Sequence, residues 1–192
     1  MTEAIFEKIV HTFDFKNYEF KCEVDELNNF FYKKAKDFVK EDFCQMYILK
    51  SKEAPLIIGY FTLSNTSIKP NEKEAISIKT VARFIPGILL GMFAINDKYQ
   101  ESGFGTDLLK KAVKISTKIS KDVGCRCLIV DSKTKERLIK FYMKRGFDFV
   151  SIPLGSRLLN KFENNIKIDR PTVKMYLDFH KLEEQTDLDE TI

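Results

Sequence analysis

Apolar residues along this chain fall into short continuous runs and into longer stretches at helical spacing. Gln45–Leu49 and Leu56–Leu63 are nearly unbroken apolar runs. Gly59 inside the second run marks a close packing contact. Before them, Glu3–Phe15 reads as a first strand or an extended arm. Asp25 reads as a helix cap, with Leu27, Phe30, Phe31, Ala35 and Phe38 following at helical spacing. Ser64–Ile85 is polar, carries Pro70, Asn71 and several lysines, and predicts a long loop.

Pro86 then opens the apolar run Ile88–Ile95. Helical periodicity resumes at Phe104, with Leu108, Ala112, Ile115 and Ile119 on one side and Lys110, Lys114, Lys118 and Lys121 on the other. Gly124 ends that helix. Cys127–Val130 is a short strand. Lys133–Lys144 predicts a second helix with Leu138, Phe141 and Tyr142 inward, closed by Gly146. Phe147–Val150 returns as a strand, Ile152–Arg170 reads as an irregular insertion, and Thr172–Leu177 alternates as a last strand. The order predicts an α/β fold: one mixed sheet of six to seven strands with helices on both faces.

The 192 residues are one domain's worth of chain, and 44% hydrophobic with 31% charged residues predicts a globular body. No apolar run approaches the ~18 residues of a membrane span, and the N-terminus carries acids without an apolar leader core. Cys22, Cys44, Cys125 and Cys127 read as reduced thiols in a cytoplasmic protein. His11 and His180 sit near the two ends, without zinc-ligand spacing, so no metal is expected. The net charge of +4 is uneven, since residues 1–177 carry 31 basic and 22 acidic groups. Residues 178–192 read as an acidic, mobile tail. A basic body suits a polyanionic partner such as RNA, and equally a lysine-rich solvated surface.

The chemistry concentrates in Gly91–Thr106. An apolar strand runs into a polar turn, then Gly103 and Gly105 open a helix. That order leaves the first amides of the helix without internal acceptors, at the positive end of its dipole, where an anion binds. A dinucleotide fingerprint would need a third glycine at Leu108, and a P-loop would need a Gly-Lys-Ser/Thr ending; neither is present. What remains is Gln100-x-x-Gly103-x-Gly105, which resembles the acyl-CoA pyrophosphate loop of the GCN5-related N-acetyltransferase (GNAT) superfamily. Downstream, Phe141-Tyr142-x-x-x-Gly146-Phe147 resembles the family's second signature, in matching order and spacing. Phe20-x-Cys22, Leu27-Asn28-x-Phe30-Phe31, Ala35 and Ile58–Ser64 are similar to the branch that includes the aminoacyl-tRNA-acetylating toxins.

The resemblance implies a single GNAT domain over residues 1–177 that binds acetyl-CoA. Phe93, Ala94 and Ile95 would pair with pantetheine, and Gln100, Glu101, Ser102, Gly103, Phe104, Gly105 and Thr106 would hold the pyrophosphate. Tyr142 would be the catalytic acid, giving its proton to the departing CoA thiolate. An amine would attack the thioester directly in a ternary complex. For partners it implies an amine acceptor such as the amino group of an aminoacyl-tRNA, an antitoxin, and a homodimer, with no membrane. Acetylation of a protein lysine, a protein N-terminus or a small amine, or acetyl-CoA binding without catalysis, stays open. Two positions depart from the family: Met92 stands where the toxins carry arginine, and Lys135 where some members carry asparagine. Asp131 is left unassigned as a base. Lys133, Lys135, Arg137, Lys140, Lys144 and Arg145 read either as a phosphate-binding cluster or as a solvated helix face.

Overall fold

The computed structural model describes residues 3–69, 78 and 82–182. Strands β1 (Ala4–Lys8), β2 (Gln45–Ser51), β3 (Ile57–Ile68), β4 (Ile85–Leu90), β5 (Ala94–Ile95), β6 (Cys127–Lys133), β7 (Asp148–Phe149) and β8 (Thr172–Asp178) form one sheet. Their hydrogen-bonded order is β1-β2-β3-β4-β6-β8-β7, with β5 on β3. The helices are α1 (Asp25–Asn29), α2 (Ala35–Lys40), α3 (Phe104–Val123), α4 (Glu136–Met143) and α5 (Ile152–Glu163). The eighth strand, one more than the sequence pattern predicts, arises because the run Ile88–Ile95 is broken into β4 and β5. No helix among the described residues is long and apolar enough to cross a membrane.

The backbone divides into two compact units, Met1–Ser64 with Leu90–Ser116, and Asn65–Leu89 with Thr117–Ile192. In the first, Phe15, Phe20, Phe30, Phe31 and Tyr60 form a core of interlocking rings, with Phe31 and Tyr60 fully buried. Ring centroids 5.1–5.5 Å apart at steep or tilted angles suit the aromatic quadrupole. A π-turn, Phe30–Lys34, joins α1 to α2 and inserts one extra residue. The inward line therefore passes through Phe31, Ala35 and Val39, and Phe38, expected inside, is 38% exposed. Asp25 lies in the first turn of α1, and Val24 is the cap without a side-chain hydrogen bond. Opposite, Phe6, Tyr47 and Phe61 stack across β1, β2 and β3, and the Lys111 ammonium sits 5.6 Å over the Phe6 ring.

In the second unit Ile68, Ile85, Cys127, Ile129, Val150 and Tyr176 make the core. Arg126 donates two hydrogen bonds to the buried Asp178 carboxylate, at 2.8 and 2.9 Å, clamping the start of β6 to the end of β8. Asp178 and the buried Phe179 thus belong to the fold, although the sequence pattern places the tail from 178. The rest of the expected tail, 183–192, lies outside the described residues, as do 70–77 and 79–81 of the expected loop.

Three sequence expectations are corrected. β3 continues to Ile68, so the polar stretch from Ser64 begins as strand, its side chains alternating between exposed and covered. The insertion after Ile152 contains α5, whose Pro153 lies in the first turn and whose Gly155 conceals the helical pattern. On α3 the buried line is Leu108, Leu109, Ala112, Ser116 and Ser120, while Ile115 and Ile119 are half-buried. An inward line built of small side chains carries no periodic apolar signal. The cysteines are free thiols.

A Cβ on Gly59 would lie 2.8 Å from the Ala94 carbonyl oxygen and 2.6 Å from the Ile95 side chain. Gly59→Ala should therefore lower stability by about 1–3 kcal/mol in denaturant titration. An unchanged midpoint would mean that β3 and β5 can move apart without cost.

Candidate functional site

In the first unit the site is built by the way β4 ends. The Gly91 amide donates to the Thr62 carbonyl at 2.9 Å, and the Met92 amide donates to the Thr62 hydroxyl at 2.9 Å. A side chain thus takes an amide that a regular ladder would pair with backbone. The chain resumes as β5, pairing with β3 through Ile95 opposite Gly59 and Ala94 opposite Tyr60. Among the described residues β5 has β3 as its one strand neighbour. Its other edge is the backbone a pantetheine arm would need.

The turn that follows is anchored by the buried Asn96. Its amide donates to the Ile58 carbonyl at 2.8 Å, its side-chain nitrogen to the Ile57 carbonyl at 3.2 Å, and its side-chain oxygen accepts from the Lys98 amide. A 3-10 turn, Asp97–Tyr99, leads into residues with left-handed backbone, Glu101 at φ 62° and Gly103 at φ 92°. Gly103 accepts from the Thr106 and Asp107 amides and so begins α3. Tyr99 packs edge-on against Phe104, with centroids 5.6 Å apart.

The Ser102, Gly103, Phe104 and Gly105 amides make no hydrogen bond among the described residues. Consecutive open donors at a helix N-terminus favour an anionic guest. A Cβ on Gly103 would meet nothing within 4 Å, so the glycine serves its positive φ and an open approach rather than packing. The fit to a diphosphate is direct: several donors, the helix dipole and no side chain in the way.

In the second unit the Phe141–Phe147 motif is the end of α4. The Tyr142 carbonyl accepts from the Arg145 amide at 2.9 Å and the Phe147 amide at 3.2 Å, and Gly146 adopts φ 82°. That turn buries Phe147 edge-on against Tyr142, with centroids 5.2 Å apart. Tyr142 is 5% exposed, and its hydroxyl makes no hydrogen bond among the described residues. Burial disfavours the phenolate and pushes the hydroxyl pKa well above its ordinary range. The inward residues of α4 are Ile139 and Tyr142, while the expected Leu138 and Phe141 are half-buried.

The basic cluster is partly committed to its own helix. Lys140 pairs with Glu136 at 2.6 Å, and Arg145 stacks 3.9 Å over the Phe141 ring while donating to the Phe141 carbonyl. Lys135 precedes α4 at its cap position, and Lys135 and Lys144 are exposed. Asp131 lies inside β6 opposite Lys174, not at a helix cap.

Sequence reasoning passed over Asn96 and Asp97. An Asn-Asp pair just before a glycine-rich turn is a legible signal, because both side chains bond readily to nearby backbone. It also missed a cavity of about 260 Å³ lined by Met143, Asp148, Phe149, Ile152, Leu159 and Tyr176, which exists only because α5 forms.

No family model matches the chain. The probable toxin TacT of Sinorhizobium fredii is 25% identical over 152 residues, which span 74% of this chain and 81% of that protein. A solved bacterial toxin superposes with a TM-score of 0.80 at 18% identity, covering 97% of each chain. AtaT complexed with acetyl-methionyl-tRNAfMet gives 0.74 at 19% identity, covering 96% of this chain and 99% of that one. A Tyr-to-Phe mutant of AtaT bound to acetyl-CoA and the C-terminus of its antitoxin AtaR gives 0.67 at 20%, covering 95% and 97%. This chain therefore shares the fold of these solved bacterial toxins along nearly its whole length.

Proposed function

We propose that this protein is an acetyl-CoA-dependent N-acetyltransferase that acetylates the amino group of an aminoacyl-tRNA, a cytoplasmic toxin paired with an antitoxin. The observation that carries the reading is the run of open amides from Ser102 to Gly105, next in the chain to a strand paired on one side. AtaT, which shares the fold, is solved with acetyl-CoA and with an acetylated aminoacyl-tRNA, and this supports both donor and acceptor. The similarity to TacT supports the toxin role.

Acetyl-CoA, when bound, supplies an acetyl thioester. The Ser102–Gly105 amides would hold its diphosphate, framed by Gln100, Glu101 and Thr106. The outer edge of Ala94 and Ile95, continued at Phe93, would pair with the pantetheine arm. Tyr142 would hold its proton at the hydroxyl oxygen and donate it to the departing sulfur. The hydroxyl carries the proton at neutral pH, as a donor to the thiolate must. The exposed lysines around α4 would meet a polyanionic acceptor.

Tyr142→Phe should lower acetyl transfer at least about tenfold while leaving acetyl-CoA affinity unchanged, the split expected of a proton donor. Normal turnover in that variant would remove the acid role. In a tyrosinate absorbance titration the same substitution should delete one group that ionises later than the ordinary pKa of about 10. Loss of an early-ionising group would contradict the burial argument. With labelled acetyl-CoA, transfer to aminoacyl-tRNA should exceed transfer to lysine peptides, protein N-termini and polyamines. The reverse ranking would sink the toxin reading.

A further inference from the structure

The first unit contains a strap that reaches the diphosphate loop from 74 residues away in sequence. Asp97 begins the loop, and its amide donates to the Lys21 carbonyl at 2.9 Å. Its Oδ1 accepts from the Glu23 amide and from the Gln100 side-chain nitrogen, each at 2.9 Å. One carboxylate thus ties the segment Lys21–Glu23 to the far side of the same turn. The segment is itself held. The Asn28 side chain donates to the Cys22 carbonyl at 2.8 Å and accepts from the Cys22 amide at 2.9 Å. Tyr60 reaches from β3 to the Leu27 carbonyl at 2.8 Å, which fixes α1 against the sheet.

Electrostatics alone would select against an acid here. A carboxylate a few residues before a set of open amides repels the anion those amides receive. The bond network supplies the reason to keep it. A charged acceptor shared by two N–H groups holds both more firmly than a neutral one. It also turns the Gln100 side chain back onto the loop.

We infer that Asp97 is a positioning residue for the cofactor diphosphate: it locks the 97–102 turn so that the Ser102–Gly105 amides converge on one anion. The inference rests on the acetyl-CoA reading above. Lys21–Glu23, held by Asn28, is the fixed support against which the turn is set.

The test is calorimetric titration of CoA into wild type, Asp97→Ala and Asp97→Asn, with a thermal melt of each. Asp97→Ala should weaken CoA about tenfold to a hundredfold, the loss of two charge-assisted hydrogen bonds. Asp97→Asn keeps an acceptor without its charge, and its CoA affinity should fall between those of wild type and Asp97→Ala. With S-acetylpantetheine, a donor that lacks the diphosphate, kcat/KM should be the same in Asp97→Ala as in wild type. CoA affinity in Asp97→Ala equal to wild type, or an equal loss with both donors, would overturn the assignment. If Asp97→Ala fails to fold, Asp97→Ser, too short to bridge both donors, takes its place, and unchanged CoA affinity there overturns the assignment equally. Wild-type protein that binds no CoA overturns the acetyl-CoA reading itself, which sets that failure apart from the failure of Asp97 alone.

Discussion

Where β4 ends, Thr62 takes two consecutive amides, Gly91 on its backbone carbonyl and Met92 on its hydroxyl, and the strand leaves its regular ladder there. Backbone hydrogen-bonding groups must be satisfied somewhere, so a side chain that captures one forces the chain to change course. The consequence is β5, two residues long and paired on β3. A strand of that length contributes little to stability. Its value is a fixed, one-sided backbone edge that runs directly into the glycine-rich turn at the start of α3. Had the run Ile88–Ile95 stayed one strand, its edge would have been used by the sheet.

The first unit is rigid where that edge needs support. A core of rings from Phe20, Phe30, Phe31 and Tyr60 backs β3, and the Gly59 position is too tight for a Cβ because β5 lies against it. Aromatic packing is well suited to this role, since large flat side chains leave few alternative arrangements. Polar precision then comes from a few side chains: Asn96, Asp97 and Asn28 with two bonds each, and Thr62 with one through its hydroxyl. None of them carries a positive charge. They set backbone direction, and leave the amides from Ser102 to Gly105 as open donors.

In the second unit the same division of labour recurs. The Arg126–Asp178 clamp fixes the ends of β6 and β8, and the turn after α4 buries Phe147 against Tyr142. Tyr142 is a core aromatic by packing and a candidate acid by state, and the two descriptions agree. Burial raises its hydroxyl pKa further above the ordinary tyrosine range. A more exposed tyrosine would give up its proton at lower pH and hold it in less defined geometry.

Much of this was legible in the residues themselves. The strand runs, the glycine pair at 103 and 105, and the Phe141–Phe147 spacing determine most of the element order, the glycine-rich turn and the family resemblance, because these depend on local backbone rules. The π-turn at Phe30–Lys34, the inward line of α3 and helix α5 were not legible. Each is settled by packing: an extra residue is accommodated because Phe30 and Phe31 both find space, Ser116 is inside because the helix is held there, and Gly155 sits in a helix despite its propensity. The break at Gly91 belongs to the same class. By itself the sequence determined that a glycine-rich turn opens a helix with free amide donors, because that depends on local backbone rules. Only the tertiary structure decided how that turn is aimed, because Thr62 and Glu23, far off in the chain, supply the bonds that bend and brace it.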